Sequence, residues 1–232
     1  MKIGIIGAGM IGGTLARRLV ALGHEVALAN SRDPSTLHGL AGEVGVRPVR
    51  AIEAARGGEI VIVAVPERAV MDLPKSLFTG VPSDVIVIDT GNYYPARDGR
   101  IAAIEEGQVE SAWVAEQLGR PVIKVFNNIG FKSLLEHGRP KGAAGRIALP
   151  VAGDAAAARA TVVRLVEALG FDAVDAGMID ESWRQQPGTP AYAHDFDAPR
   201  LKAALGEADR SRISEYRKAA NDAALAYFQR PS

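Results

Sequence analysis

The chain has 232 residues, 47% of them hydrophobic, with 27 basic and 27 acidic side chains and no cysteine. That length supports one substantial core with at most a small appendage. The charge balance leaves no basic footprint for nucleic acid or an anionic membrane surface, and the missing cysteines exclude disulfides, thiolate catalysis and cysteine metal sites.

Met1 to Ile6 reads as a short buried strand. Gly7-Ala8-Gly9-Met10-Ile11-Gly12 follows directly, then a helix over Gly13 to Leu22 that stops at Gly23. Strand, G-x-G-x-x-G and helix make the phosphate-binding turn of a dinucleotide fold. Gly7 permits the tight turn, Gly9 lets the backbone approach a pyrophosphate, and Gly12 lets the helix pack closely on the strand. The helix N-terminus then presents free N–H groups and the positive end of its dipole to the phosphates. The predicted cofactor contacts here are Gly7, Gly9, Met10, Ile11 and Gly12.

The second strand, His24 to Asn30, ends in Asn30-Ser31-Arg32. NAD-preferring proteins of this fold usually carry Asp or Glu at that tip to hold the ribose hydroxyls. A neutral tip followed by Ser31 and Arg32 suits a 2′-phosphate, because Arg offers a planar fork of donors and nothing acidic repels the dianion. NADP(H) is therefore the expected cofactor. Asp33 could make a ribose contact, but its place before Pro34 reads as an N-cap with proline at the first helical position.

Strand and helix then alternate. The pattern predicts a helix over Ser35 to Val44, a strand over Val46 to Val49, a helical turn over Ile52 to Arg56 and a buried strand over Ile60 to Val65. Glu67 to Leu77 reads as a helix broken or kinked near Pro74. Val85 to Asp89 is the next strand, followed by a helix over Val109 to Leu118, a strand over Val122 to Phe126 and a short helix over Ile129 to His137. Arg146 to Val151, Asp154 to Leu169 and Phe171 to Asp175 read as strand, helix and strand. The fold class is α/β, a Rossmann-type doubly wound and mostly parallel sheet with a small C-terminal extension. Residues 1–176 are the expected NADP-binding domain, and 177–232 a lid segment and helix.

In that tail, Asp180 to Pro199 has little periodicity. Ile213, Tyr216, Ala220, Ala223 and Tyr227 then fall on one helical face, either packed on the domain or forming a dimer contact. The longest apolar run, Ile60 to Pro66, is far shorter than the ~20 residues of a membrane span, and no secretory signal precedes the first strand. A soluble cytoplasmic enzyme is expected, with no membrane or nucleic-acid partner.

Ligands of open α/β sheets bind outside the carboxyl ends of the strands. Ala64-Val65-Pro66 is predicted to run beside the cofactor, and Asn92 and Asn127 to hydrogen-bond the nicotinamide carboxamide. Tyr93, Asn128, Ile129, Trp183, Pro187 and Tyr192 are the candidate substrate-pocket residues, the aromatics offering faces to a flat substrate. The four histidines are isolated, Asp89 and Asp175 read as turn caps after strands, and no metal site is expected. No catalytic acid or base stands out, and hydride transfer to a flavin-like ring requires stacking at the right distance more than a strong side-chain acid.

With GAGMIGGTLARRL, ANSRDP, VIVAVP, VIKVFNNI, VAGD, EALGFDAVDAG and ESW in order along most of the first 185 residues, the sequence resembles the NADP oxidoreductases that use coenzyme F-420, a deazaflavin. It is also similar to the reductase domain of the six-transmembrane metalloreductases. The resemblance implies NADPH bound by the glycine turn with Ser31 and Arg32. It also implies a hydride path to a stacked isoalloxazine-like ring, with coenzyme F-420 or a flavin as co-substrate, and commonly a homodimer. Two features depart from the family. Archaeal members follow the serine-arginine tip with further basic residues, where this chain has Asp33-Pro34-Ser35. No transmembrane region follows, so a membrane metalloreductase is not expected. Two alternatives remain: a reductase of a small imine or carbonyl compound, with Tyr93, Tyr94 or Tyr192 as proton donor, and a module that senses NADP(H) without turnover.

Overall fold

The computed structural model describes residues 1–228, with side chains up to Leu225. Apolar residues on both faces of a strand require cover on both sides, and that requirement organises the chain. Strand β1 (Lys2–Ile6) turns Ile3 and Ile5 toward helix α1 (Met10–Ala21), where they meet Leu15 and Leu19. Its Ile6 joins β2 (Glu25–Ala29) on the other face. There Ala27 and Ala29 pack with Ala54 and Ala55 of a later helix. Burying each Ile or Leu in these layers stabilises the fold by roughly 1.5–3 kcal/mol.

α1 begins at Met10, earlier than the pattern predicts. Gly12 and Gly13 have low helix propensity and hide the first turn from a propensity reading. After β2, Asp33 accepts a hydrogen bond from the Ser35 N–H at 3.0 Å and caps a 3-10 turn, Pro34–Leu37, so the expected cap is present. Then come α2 (His38–Val44), β3 (Arg47–Pro48), α3 (Ala51–Gly57) and β4 (Ile60–Val63).

The predicted helix from Glu67 to Leu77 is a single turn, α4 (Glu67–Val70). Beyond Met71 the backbone closes i→i−3 turns, such as Leu73 N–H to the Val70 carbonyl at 3.3 Å. Pro74 disfavours helical geometry at the residue before it and has no N–H to donate, so a kinked continuation does not form. β5 (Ile86–Asp89), two one-turn helices, α5 (Pro95–Asp98) and α6 (Ala102–Glu105), and α7 (Glu110–Leu118) follow. β6 is confined to Ile123–Lys124 rather than Val122 to Phe126. Phe126 is buried with φ of 67°, a left-handed conformation that ends the extended run.

The sheet order is β3-β2-β1-β4-β5-β6, all pairs parallel. The winding reverses between β1 and β4, which opens a crevice at their carboxyl ends. After α8 (Phe131–Glu136), β7 (Ala148–Val151), α9 (Ala156–Ala168) and β8 (Asp172–Asp175) form a separate parallel pair. One antiparallel bridge, Lys124 to Ala152, joins it to β6. The main core runs through both sheets, from Ile5 and Leu15 to Leu149, Val162 and Phe171.

The tail holds a helix the pattern does not predict, α10 (Ala198–Glu207), capped by Asp197 and packed through Leu201 and Ala204 on Ala148 and Val174. In α11 (Ile213–Phe228) the expected face is partly corrected. Among its described side chains Arg217 is the buried one, Ile213, Tyr216 and Ala220 are half-buried, and Ala223 is exposed. The side chain of Tyr227 lies outside the described residues.

The turn after β1 depends on two missing β-carbons. Gly7 has φ of +112°, and a Cβ there would strike the Ala64 carbonyl. A Cβ on Gly12 would strike the carbonyl oxygen of Gly7. Gly12→Ala is therefore expected to destabilise the fold by about 1–3 kcal/mol, the scale of an overpacked contact. A denaturant titration that finds it as stable as the wild type would show that α1 can shift away.

Candidate active site

The carboxyl edge of the sheet brings together the glycine turn, the β2 tip, the β4 tip and the loops after β5 and β6. At Gly9 a Cβ would meet nothing within 4 Å. That open side of the turn, at the N-terminus of α1, fits the approach of a pyrophosphate. Met10 is exposed and Ile11 half-buried beside it. Ser31 and Arg32 are exposed at the β2 tip, and Asn30 shapes this tip by accepting the Arg32 N–H at 2.9 Å and donating to Thr36 at 2.9 Å. The Arg32 guanidinium has no partner among the described residues, and a 2′-phosphate is a fitting one. Ala64, whose N–H continues the ladder to the Ile6 carbonyl at 2.8 Å, leads into half-buried Val65 and exposed Pro66.

The two asparagines predicted after β5 and β6 meet. Asn92 donates through Nδ2 to the Asn127 carbonyl at 2.8 Å, and Asn127 Nδ2 donates to Asn92 Oδ1 at 3.1 Å. Asn127 Nδ2 also reaches the Gln185 carbonyl at 2.7 Å, which ties the C-terminal segment to the β6 loop. Around that junction lie buried polar atoms with no hydrogen-bond partner: Asn127 Oδ1, both amide atoms of Asn128 and of Gln185, Gln186 Nε2 and Ser182 Oγ. Burying such groups unpaired costs about 1–3 kcal/mol each, so this cluster is expensive unless something else bonds to it. The left-handed Phe126 lies immediately before Asn127, and strained backbone of this kind gathers at ligand sites.

Two aromatic expectations are corrected. Tyr93 is fully buried, its hydroxyl accepting the Ile101 N–H at 3.1 Å and facing both the Gly99 carbonyl and the Glu105 carboxylate at 2.9 Å. It is a core residue and offers no face to a substrate. Trp183 packs against Val109 and Ala208, with the Arg184 guanidinium 4.4 Å over its ring. Ile129 belongs to the main core, and Pro187 is buried. Tyr192 is half-buried, and its hydroxyl lies 2.5 Å from that of Tyr94. Tyr94, rather than Tyr93, is the tyrosine of this loop that meets Tyr192. Burial raises the pKa of both hydroxyls in the pair.

A group the motif reading missed lies under these loops. Lys124, 0% exposed, donates to Asp89 Oδ2 at 2.9 Å and to the Gly91 carbonyl at 2.5 Å. Asp89 also accepts from Ser111 Oγ and the Gly91 N–H, both at 2.8 Å. Buried Glu110 accepts the Tyr93 N–H at 3.1 Å. Arg97 bonds Asp98 at 2.8 Å and the Asn92 carbonyl at 2.5 Å, with Glu67 at 3.5 Å. Four buried carboxyl groups, Glu67, Asp89, Asp98 and Glu110, thus lie around Lys124 and Arg97, and the charge of buried Arg217 acts on Glu110 as well. Burial pushes the Glu67 carboxyl well above its usual range and that of Glu110 up to about 7, each opposed by the Lys124 charge. The one visible sign was a lysine inside an apolar strand, VIKVF.

A cleft of about 400 Å³ lies at the opposite edge, lined by Arg18, Arg139, Lys141 and Arg146. Its cations are engaged: Arg18 bonds the Leu135 and Leu169 carbonyls, Arg146 pairs with Asp172, and Lys141 pairs with Glu167. The Arg18 contacts satisfy carbonyls at the C-terminal ends of α8 and α9.

Residues 2–93 match the family described as NADP oxidoreductase, coenzyme F420-dependent. The structure of SMa0349 from Sinorhizobium meliloti is 32% identical and superposes with a TM-score of 0.71, over 84% of this chain and 95% of that one. The chain belongs to the F420-dependent NADP oxidoreductase family. A protein described as an F420-dependent NADP reductase from Arthrobacter sp. FB24 is 26% identical, with a TM-score of 0.63 over 77% of this chain and 86% of that one. The Escherichia coli (strain K12) protein YjhV is 49% identical over 73 residues, which are 31% of this chain and 53% of that protein. The match thus spans about half the length of this curated relative. No helix among the described residues is long and apolar enough to cross a membrane.

Glu110 carries a sign that can be checked. Its carboxyl binds a proton more tightly folded, at about 7, than its ordinary 4.5. Its contribution to stability therefore falls as pH rises from about 4.5 to about 7, by something on the order of 3 kcal/mol. Glu110→Gln, neutral at every pH, should lose that component. Melting curves from pH 5 to 8.5 should show the variant gaining on the wild type as pH rises; parallel curves would mean Glu110 is ionised throughout.

Proposed function

We propose that this protein is an NADP(H)-dependent oxidoreductase that passes a hydride between the nicotinamide and a planar deazaflavin- or flavin-like ring. The observation that carries the acceptor side is the set of buried amide atoms without a partner, Asn127 Oδ1 and both amide atoms of Asn128 and of Gln185. Amides both donate and accept. The nicotinamide carboxamide and the lactam edge of such a ring offer the same two functions, without charge.

In this reading residues 1–176 hold the cofactor and residues 177–232 close over the acceptor. Gly7, Gly9, Met10, Ile11 and Gly12 cradle the pyrophosphate, Ser31 and Arg32 hold the 2′-phosphate, and Ala64, Val65 and Pro66 run beside the ribose. Asn92 and Asn127 orient the carboxamide, with Asn128, Pro187 and Tyr192 around the acceptor. The nicotinamide, when bound, supplies the hydride. The chain's part is to fix ring against ring at reacting distance and to keep water out.

One observation favours a second reading, a reductase of a small imine or carbonyl compound. Such a reaction needs a placed proton donor, and the Tyr94–Tyr192 hydroxyl pair is one at the edge of the same site.

Arg32→Ala should weaken NADPH by about 1.5–3 kcal/mol, the scale of a charged hydrogen bond, and leave NADH nearly unchanged. Equal losses for both cofactors would sink the 2′-phosphate assignment. Gly9→Val should abolish binding of either cofactor without unfolding the domain. With NADPH bound, flavin, deazaflavin, imine and ketone acceptors are added singly while absorbance of the reduced nicotinamide is followed. Oxidation by a ring acceptor supports the first reading, oxidation by an imine or ketone the second. Tight binding with no oxidation would move the protein toward a sensor of NADP(H).

A further inference from the structure

Asp33 places a carboxylate one residue beyond Arg32, where the 2′-phosphate would lie. Arg32 alone would only cancel that charge, leaving little attraction for an incoming dianion. The structure brings a second guanidinium to the same place from a different strand. β3 pairs with β2 so that Ala27 faces Arg47 and Leu28 faces Pro48. The Val49 N–H then donates to the Leu28 carbonyl at 3.0 Å, extending the ladder. Arg50 therefore falls level with Asn30, the first residue of the β2 tip. Its Nη2 lies 4.0 Å from Asp33 Oδ2.

The backbone of Arg50 is pinned while its side chain is open. The Arg50 N–H donates to Glu53 Oε2 at 2.8 Å, and its carbonyl accepts from the Glu53 and Ala54 N–H groups, both at 3.0 Å. The side chain is 75% exposed, and that of Asp33 is 62% exposed. An ion pair this exposed contributes almost nothing to folding. Asp33 spends its other oxygen on the Ser35 N–H, so it caps the 3-10 turn while its charge is offset from across the sheet. A guanidinium carries five donors, and one contact at 4.0 Å leaves most of them available.

We propose that Arg50 is a second arginine of the 2′-phosphate site, donating to the phosphate opposite Arg32 and setting the preference for NADPH over NADH. Together Arg32, Arg50 and Asp33 carry a net positive charge, where Arg32 and Asp33 alone carry none. This rests on the NADP(H) reading above, and the measurement separates the two.

Calorimetric titrations with NADPH and with NADH compare the wild type, Arg50→Ala, Arg32→Ala, Asp33→Asn and the double variant Arg50→Ala/Asp33→Asn. Asn caps a helical turn as well as Asp does, and the altered side chains are exposed, so melting curves should show all variants folded. Arg50→Ala should weaken NADPH about tenfold and leave NADH within twofold, while Asp33→Asn should tighten NADPH several-fold. The double variant should recover only part of the loss, because the donor is still missing. If Arg50→Ala keeps the wild-type ratio of NADPH to NADH affinity while Arg32→Ala loses it, the proposal is overturned and the NADP(H) reading stands. If neither arginine changes the ratio, both fall. Full recovery in the double variant would overturn the direct contact, since charge offset alone would then explain Arg50.

Discussion

The contact between the Gly7 carbonyl and the first turn of α1 sets the dimensions of the site. Gly12 has no β-carbon, so α1 lies against the end of β1 as closely as backbone allows. Gly7 holds a left-handed conformation against the Ala64 carbonyl of the neighbouring strand. The N-terminal N–H groups of α1 are thereby aimed across the crevice where the winding of the sheet reverses. Everything proposed for the cofactor depends on that orientation, because helix-end N–H groups act over a single turn.

The loops after β5 and β6, proposed to hold the nicotinamide, are built differently, on buried charge. Lys124, Asp89 and Ser111 hold the start of the loop after β5, and Arg97 holds the Asn92 carbonyl within it. Buried ion pairs give little net stability against apolar replacements, whereas losing one partner is costly. Their effect here is geometric: they fix the Asn92–Asn127 pair, and two of the carboxyl groups, Glu67 and Glu110, are driven toward the neutral form.

The elements governed by local chemistry were legible in the sequence. The glycine turn, the Asn30-Ser31-Arg32 tip and the Asp33 cap each follow from a few adjacent residues. Asn92 and Asn127 read as separate loop residues, and nothing local says that they bond each other. Between adjacent tyrosines a sequence cannot tell which side chain turns inward; Tyr93 does and Tyr94 does not, because α6 and α7 close over the former. Trp183 follows closely on the last strand in sequence, but α7 covers it. Glu67 and Glu110 are ordinary helix-start glutamates in sequence, and their burial depends on Lys124, which arrives from another strand. The second sheet is of the same kind: the pattern supplies two strands and a helix, while the antiparallel bridge to Ala152 is a long-range event.

That bridge has a mechanical meaning. Lys124 gives its backbone to β7 through two hydrogen bonds with Ala152, at 2.8 and 3.1 Å, and its ammonium to Asp89 and Gly91. One residue is therefore both a rivet between the sheets and an anchor of the loop that carries Asn92. The position of Asn92 is thereby tied to the placement of β7 beside β6. The packing of α9 and α10 on β7 and β8 is in this sense part of the tolerance to which the site is held.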